Sequence, residues 1–195
     1  MPNSKRWIRL ATMGAISGIV GVVAGLGSAG VAPYLLPLAQ NQSYFAQAQT
    51  QTISQQILEA HNRYRQEVGV PPLSWSDELS QDAQAWADYL ASLGGNTLQH
   101  DRDRNGQGEN LWLGTAGFFS VVDAVDAWGS ERQFFRPGTF PEVSTTGNWA
   151  DVGHYTQIIW RDTERVGCAQ STAGGNNILV CRYGPPGNFI GQPVY

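Results

Sequence analysis

From Thr52 onward the apolar positions repeat at helical spacing in four stretches and cluster into extended runs in three others. Ile53, Ile57, Tyr64 and Val68 share one face, with Glu59, Arg63 and Glu67 largely elsewhere, which predicts an amphipathic helix ending near Gly69 before Pro71 and Pro72. A second helix is expected after a cap at Ser76 or Asp77. Its stripe is Leu79, Ala83, Trp86, Leu90 and Leu93, and Gly94-Gly95 closes it. A third runs from Ser120 to Phe135, with Val121, Ala124, Val125, Trp128 and Phe135 inward. A short fourth lies in Gly-His-Tyr-Thr-Gln-Ile-Ile-Trp, residues 153–160, with Asp151 expected as its N-cap. Extended segments are expected at Glu109–Leu113, Arg165–Gln170 and Ile178–Tyr183. Helices and antiparallel strands form separate groups instead of alternating, which is the pattern of an α+β fold.

The last two strands have a register that can be read from the chain. If Gly174-Gly175 forms a two-residue hairpin turn, facing residues have numbers summing to 349, and Cys168 faces Cys181. Counting outward from the turn, that pair occupies a non-hydrogen-bonded site, where side chains approach most closely. A cross-strand disulfide is therefore expected. It closes a loop of about 14 residues, for which the chain-entropy model gives roughly 3 kcal/mol. The alternative is a pair of free thiols in the core.

The first 48 residues differ in kind. Lys5, Arg6 and Arg9 precede Leu10–Ala32, 23 residues without a charge. A basic start before a long apolar run is an export signal or a membrane anchor, and this run is long enough to span a bilayer or contact one. Gly14, Gly18, Gly21 and Gly25 recur at helical spacing within it. Residues 1–32 are thus read as export signal or anchor, 33–51 as a Gln-, Ala- and Pro-rich flexible linker, and 52–195 as one globular domain. The domain is expected outside the cytoplasm, extracellular or periplasmic, either secreted or tethered by that apolar segment. All 16 acidic residues lie in the domain against nine of the 12 basic ones, leaving it at −7. Such a surface excludes nucleic acid as a partner, since phosphate attachment needs clustered Lys and Arg.

The candidate chemistry is sparse. From Thr52 onward there is no HExxH, GxSxG, P-loop, GxGxxG or paired CxxC motif. It has three histidines. His154 falls in the first turn of the fourth helix, where the partial positive charge of the helix end keeps an imidazole neutral. Glu131 continues the inner stripe of the third helix, and a carboxylate there needs a partner. His100 follows a Gly-Asn-Thr loop, and Glu109 opens an extended segment after Gly106 and Gly108. Two neutral imidazoles and two carboxylates from separate segments are candidates for one polar cleft.

Several motifs resemble the CAP superfamily, also called the SCP domain: cysteine-rich secretory proteins, venom antigens and plant pathogenesis-related proteins. They are His61-Asn62-Arg63-Tyr64-Arg65, Pro72-Leu73-Ser74-Trp75, Gly108-Glu109-Asn110, Gly153–Trp160, Val166–Ala169 and Val180–Phe189. Arg182 departs from the pattern, at a position that is often Asn. The likeness runs from about Ile53 to the C-terminus, in the manner of a bacterial-type single-domain member: a bare domain on an exported leader. It implies an α-β-α sandwich with a central antiparallel sheet and a cleft holding His100, Glu109, Glu131 and His154. It also implies that His61 is structural. Some relatives bind a divalent metal such as zinc through the two histidines, which assigns metal contact to His100 and His154, with Glu109 and Glu131 as outer-shell partners.

Three functions follow as expectations. The first is a non-enzymatic binding module for an extracellular lipid, sterol, peptide or protein. The second is a metal-assisted, peptidase-like hydrolase with Glu109 or Glu131 as base. The third is catalysis by a Ser or Thr with a His–Glu pair, for which no nucleophile motif speaks. Lipid binding would use the aromatic pairs Phe118-Phe119 and Phe134-Phe135.

Overall fold

A computed structural model describes residues 51–195; the expected leader and nearly all of the expected linker lie outside the described residues. Helix α1 spans Ile53–Glu67. Thr52 starts it through a reciprocal box: its hydroxyl accepts from the Gln55 amide while the Gln55 side chain accepts from the Thr52 amide. The inner face differs from the purely apolar stripe expected. Ile53 is exposed, and Ile57, Ala60 and Tyr64 are joined in the interior by His61 and Arg65. Helix α2, Asp77–Ser92, is capped by Ser76 and buries Leu79, Ala83, Ala87 and Leu90. Trp86 is half-buried and packs at the margin of this layer, and Leu93, past the helix end, is exposed.

Helix α3 is shorter than its hydrophobic pattern suggested. It runs Val121–Gly129 from a Ser120–Asp123 capping box and then tightens into a 3₁₀ turn, Ser130–Phe134. At the junction Tyr64 presses on Gly129, where a Cβ would stand 2.0 Å from the Tyr64 ring. Helix α4, Gly153–Ile159, buries its last five residues.

The sheet has the order β1 (Ser74–Trp75), β3 (Arg165–Ala173), β4 (Asn176–Gly184), β2 (Gly108–Thr115). Strands β2 (Gly108–Thr115), β3 (Arg165–Ala173) and β4 (Asn176–Gly184) are antiparallel, each longer than expected. A two-residue strand β1, Ser74–Trp75, which no sequence pattern announced, adds to β3 in parallel. Gly174 and Gly175 both have positive φ, 57° and 81°, as a tight hairpin turn requires. Cys168 faces Cys181, and the two form a disulfide across a Cα separation of 4.1 Å, the short spacing of a non-hydrogen-bonded pair.

Strand alternation sorts the core into two layers. Leu111, Ile178 and Val180 meet Ala83, Ala87 and Leu90 of α2 on one face. On that face Gly167 admits the α2 backbone, since a Cβ there would lie 2.3 Å from the Ser80 amide nitrogen. Val166, Cys168, Leu179, Cys181 and Tyr183 face the opposite way, toward α1, α3 and α4. The result is a helix–sheet–helix sandwich of the α+β class. Each fully buried Ile or Leu of these layers contributes roughly 2 kcal/mol through surface removed from water.

Two buried polar side chains of α1 knit the second layer. His61 Nδ1 lies 2.8 Å from the Ile57 carbonyl, which can only accept, so Nδ1 carries the proton and Nε2 accepts from the Tyr183 hydroxyl at 2.8 Å. Burial raises the Tyr183 phenol well above its ordinary pKa, which keeps it a donor. Arg65, fully buried, has no carboxylate partner among the described residues; it donates to the carbonyls of Pro71, Ile158, Trp160, Arg161 and Thr163. Burial lowers its pKa to about 10, which leaves it charged at neutral pH. Its cation sits where the partial negative charge of the α4 C-terminus is concentrated.

His61 gives the fold a testable pH dependence. Burial, assisted by the Arg65 charge and opposed by the Ile57 carbonyl, lowers its pKa from 6.5 to about 4. The unfolded chain therefore binds a proton that the folded one refuses. The contribution is complete above pH 6.5 and is lost as pH falls toward 4, at about 1.4 kcal/mol per unit and roughly 3 kcal/mol in all. Melting temperatures between pH 7 and 5 are expected to fall in the wild type and to fall less steeply in His61→Gln.

Candidate functional site

The start of β2, an edge strand, places two consecutive side chains on opposite faces. Glu109 turns toward the α2 face and Asn110 toward α4. Gly108 before them has no Cβ because α4 comes too close: one would lie 2.2 Å from the Gln157 side-chain oxygen. Two arms reach this edge from the two layers.

One arm is His154, in the first turn of α4. Its Nδ1 lies 2.6 Å from Glu131 Oε1, and its ring stacks on Trp128 with centroids 6.1 Å apart. The other carboxylate oxygen of Glu131 accepts the amides of His154 and Tyr155 at 3.0 and 3.1 Å. Glu131 therefore caps α4 as well as orienting its histidine. This corrects the expectation for Asp151, which belongs to the preceding 3₁₀ turn and accepts from Thr146 and Asn148 instead. The irregular turn Val152 is the N-cap residue and offers no side-chain bond. Asn110 secures the same arm from the sheet: its amide donates to the His154 carbonyl and to the Tyr183 hydroxyl.

The other arm is His100, on a segment without helix or strand between α2 and β2. Its Nδ1 lies 2.6 Å from Glu109 Oε1, which also accepts the Asp101 amide at 3.1 Å. The Glu109 side chain is wholly buried, whereas the His100 ring is 58% exposed. Behind Glu109 stands Arg182, its Nη2 2.7 Å from Asp101 Oδ2 and 3.3 Å from Glu109 Oε2. Burial pushes the Asp101 carboxyl up, but the Arg182 and Asp103 hydrogen bonds and the Arg182 and Arg104 charges outweigh it and hold it below the usual range.

His100, Glu109 and His154 line one cavity of about 520 Å³, with Glu131 behind His154. Its other wall is apolar: Phe140, Pro141, Trp149, Pro186 and Ile190. Sequence reasoning named the four ionisable groups but missed Asn110, Arg65 and Asp101. For Asn110 a signal existed, since alternation along the strand sends it to the face opposite Glu109.

The donor set can be tested against a divalent metal. A carboxylate only accepts, so both Nδ1 atoms carry protons, and a neutral ring then keeps its Nε2 lone pair free. Among the described residues neither Nε2 makes a hydrogen bond. Two imidazole nitrogens suit zinc but fill half a tetrahedral shell. Among the described residues, no group of three or more His, Cys, Asp or Glu is placed to hold a metal ion.

Helix–sheet–helix layers of this order, with two carboxylate-oriented histidines at a sheet edge, define a class of protein. The chain belongs to the CAP family, the cysteine-rich secretory protein family, which matches residues 58–183. It is 40% identical over 146 residues to pathogenesis-related protein 1C of Nicotiana tabacum, covering 74% of this chain and 82% of that protein. To venom allergen 5 of Polistes dominula it is 36% identical over 166 residues, covering 71% and 70%. Among solved structures it shares its fold with that of NaASP2 with Zn2+, at TM-score 0.63 and 23% identity over 74% of this chain and 86% of that one. The same holds for BmVAL-1, at TM-score 0.62 and 22% identity over 75% and 84%.

The double role of Glu131 predicts different outcomes for two substitutions. Glu131→Ala removes the cap of α4 and is expected to cost about 2 kcal/mol in a denaturant titration. Glu131→Gln keeps an oxygen for the helix amides but turns an NH₂ toward the ring. Its expected effect is a small loss of stability with the His154 tautomer reversed, read from the ¹⁵N shifts of the imidazole.

Proposed function

We propose that this protein is an exported, non-enzymatic binding module whose cavity offers the Nε2 atoms of His100 and His154 to a divalent cation such as zinc. The observation that carries this reading is the paired carboxylate–Nδ1 contact, 2.6 Å in both arms, which reserves the other nitrogen of each ring, Nε2, for a ligand at residues lining one cavity. Export is supported by the basic and apolar leader, by the disulfide and by the secretory family to which the chain belongs. Among the described residues no helix is long and apolar enough to cross a membrane. The solved structure of NaASP2 with Zn2+ lends the metal reading support by likeness of fold. The apolar wall of the cavity then receives the non-polar part of a lipid, sterol or peptide ligand.

A hydrolase would need a free carboxylate to take a proton from water. Glu131 is otherwise engaged, and the Glu109 side chain is closed off from solvent. Glu131 spends its two oxygens on the ring and the helix amides, and Glu109 is wholly buried between His100, Asp101 and Arg182. This favours binding over turnover.

Calorimetric zinc titration tests the proposal. Wild-type protein is expected to bind one zinc, and His100→Ala and His154→Ala each to weaken it by more than about tenfold with the circular dichroism unchanged. Equal affinity in both variants removes the metal from the reading. Peptide or ester turnover that disappears in Glu109→Gln at an unaltered melting temperature would replace it with the hydrolase.

A further inference from the structure

The two arms of the cleft are anchored in different ways. His154 belongs to a helix, and its orienting carboxylate is bound by that helix's own amides. His100 belongs to an irregular segment, residues 93–107, and among the described residues its side chain makes one hydrogen bond, to Glu109. Arg104 shapes this segment internally by donating to the carbonyls of Asp101 and Gln107, but it lies on the segment it shapes. The guanidinium that joins the segment to the sheet is that of Arg182. It stands directly across from Glu109 in the β2–β4 register, and its Nη2 reaches both Asp101 and Glu109.

Arg182 is poorly satisfied for a group that is 1% exposed. Its Nε and Nη1, and the Glu109 Oε2 it faces, have no hydrogen-bond partner among the described residues. A buried ion cluster with unmade hydrogen bonds stabilises a fold no better than a well-packed apolar side chain. Its use must then lie in what it holds in place. Two carboxylates drawn to one guanidinium fix the residue after His100 and the carboxylate that orients its ring.

We propose that Arg182 is the positioning residue of His100: by clamping Asp101 and Glu109 together it fixes the imidazole at the cavity, making one arm of the cleft depend on a buried ion triad that the other arm does not need. The consequence for metal binding rests on the function proposed above, while the positioning itself does not.

The test uses the full chain with ¹⁵N-labelled histidine, which gives three imidazole signals to follow. In the wild type without metal, the Nδ1–H protons of His61, His100 and His154 are expected to be observable as hydrogen-bonded resonances. In Arg182→Met the His100 signal should broaden into exchange while those of His61 and His154 persist, with the melting temperature lowered because the buried Glu109 loses its counter-charge. Zinc affinity should fall about tenfold, the usual scale for loss of an outer-shell support. Asp101→Asn cuts the same clamp at a loop position without touching the core, and is expected to broaden the His100 signal as well; Arg182→Lys should restore part of it. A His100 resonance that stays sharp in Arg182→Met overturns the proposal; if that variant does not fold, a sharp resonance in Asp101→Asn does so. A wild type that ignores zinc, yet loses the His100 signal in these variants, leaves the positioning role standing and removes the metal reading alone.

Discussion

Helix α4 is seven residues long, too short to persist by its own hydrogen bonds. Side chains from elsewhere hold it at both ends. At its N-terminus the Glu131 carboxylate accepts the amides of His154 and Tyr155, and near its C-terminus the Arg65 guanidinium collects the carbonyls of Ile158 and Trp160. Each charge opposes the helix partial charge it meets, so a carboxylate and a guanidinium do for this helix what length does for others. The cleft inherits its geometry from that clamp, because the same carboxylate that starts the helix aims its histidine. Stability and site are therefore coupled through one side chain.

The edge strand β2 supplies the second constraint. Because side chains alternate along a strand, Glu109 and Asn110 serve the two layers from adjacent positions. Glu109 reaches His100 on the α2 side; Asn110 reaches the backbone of His154 and, through Tyr183 and His61, helix α1. The run from the Ile57 carbonyl to the His154 carbonyl passes through three side chains, each with its donor direction fixed by its neighbour. Such a fully connected chain of polar groups is tolerable in an apolar layer only because every member is paired. The Arg182 cluster on the opposite face lacks that completeness. The two faces thus treat buried polarity differently: one pairs every member, and the other leaves part of a guanidinium and a carboxylate oxygen unpaired among the described residues.

Much of this was legible from residues alone. The apolar periodicities located the four helices, and the Gly-Gly turn set the strand register that pairs Cys168 with Cys181, because two-residue turns leave no freedom in pairing. Periodicity points Ile53 and Leu93 inward, yet both lie at helix ends and are exposed, while Ala60 and Ala87 are buried. Helix α3 is shorter than its pattern because the last turn tightens to 3₁₀ at Ser130, beside the place where Tyr64 of a distant segment packs on Gly129. Asp151 has the right chemistry for a cap, three residues before His154, but the chain between them turns, and a carboxylate 23 residues upstream occupies the place instead.

What the sequence determined by itself is what depends on neighbours along the chain: which segments are helical or extended, where they are capped, how the hairpin is registered, and which family the motifs resemble. Only the tertiary structure decided the partners of the ionisable groups. His100 with Glu109, His154 with Glu131, and Arg182 with Asp101 meet across 9, 23 and 81 positions. Local propensity fixes backbone angles within a few residues, while the partner of a buried charge is whichever group the packed layers bring within hydrogen-bond reach. That distance exists only once the sheet has both of its faces covered.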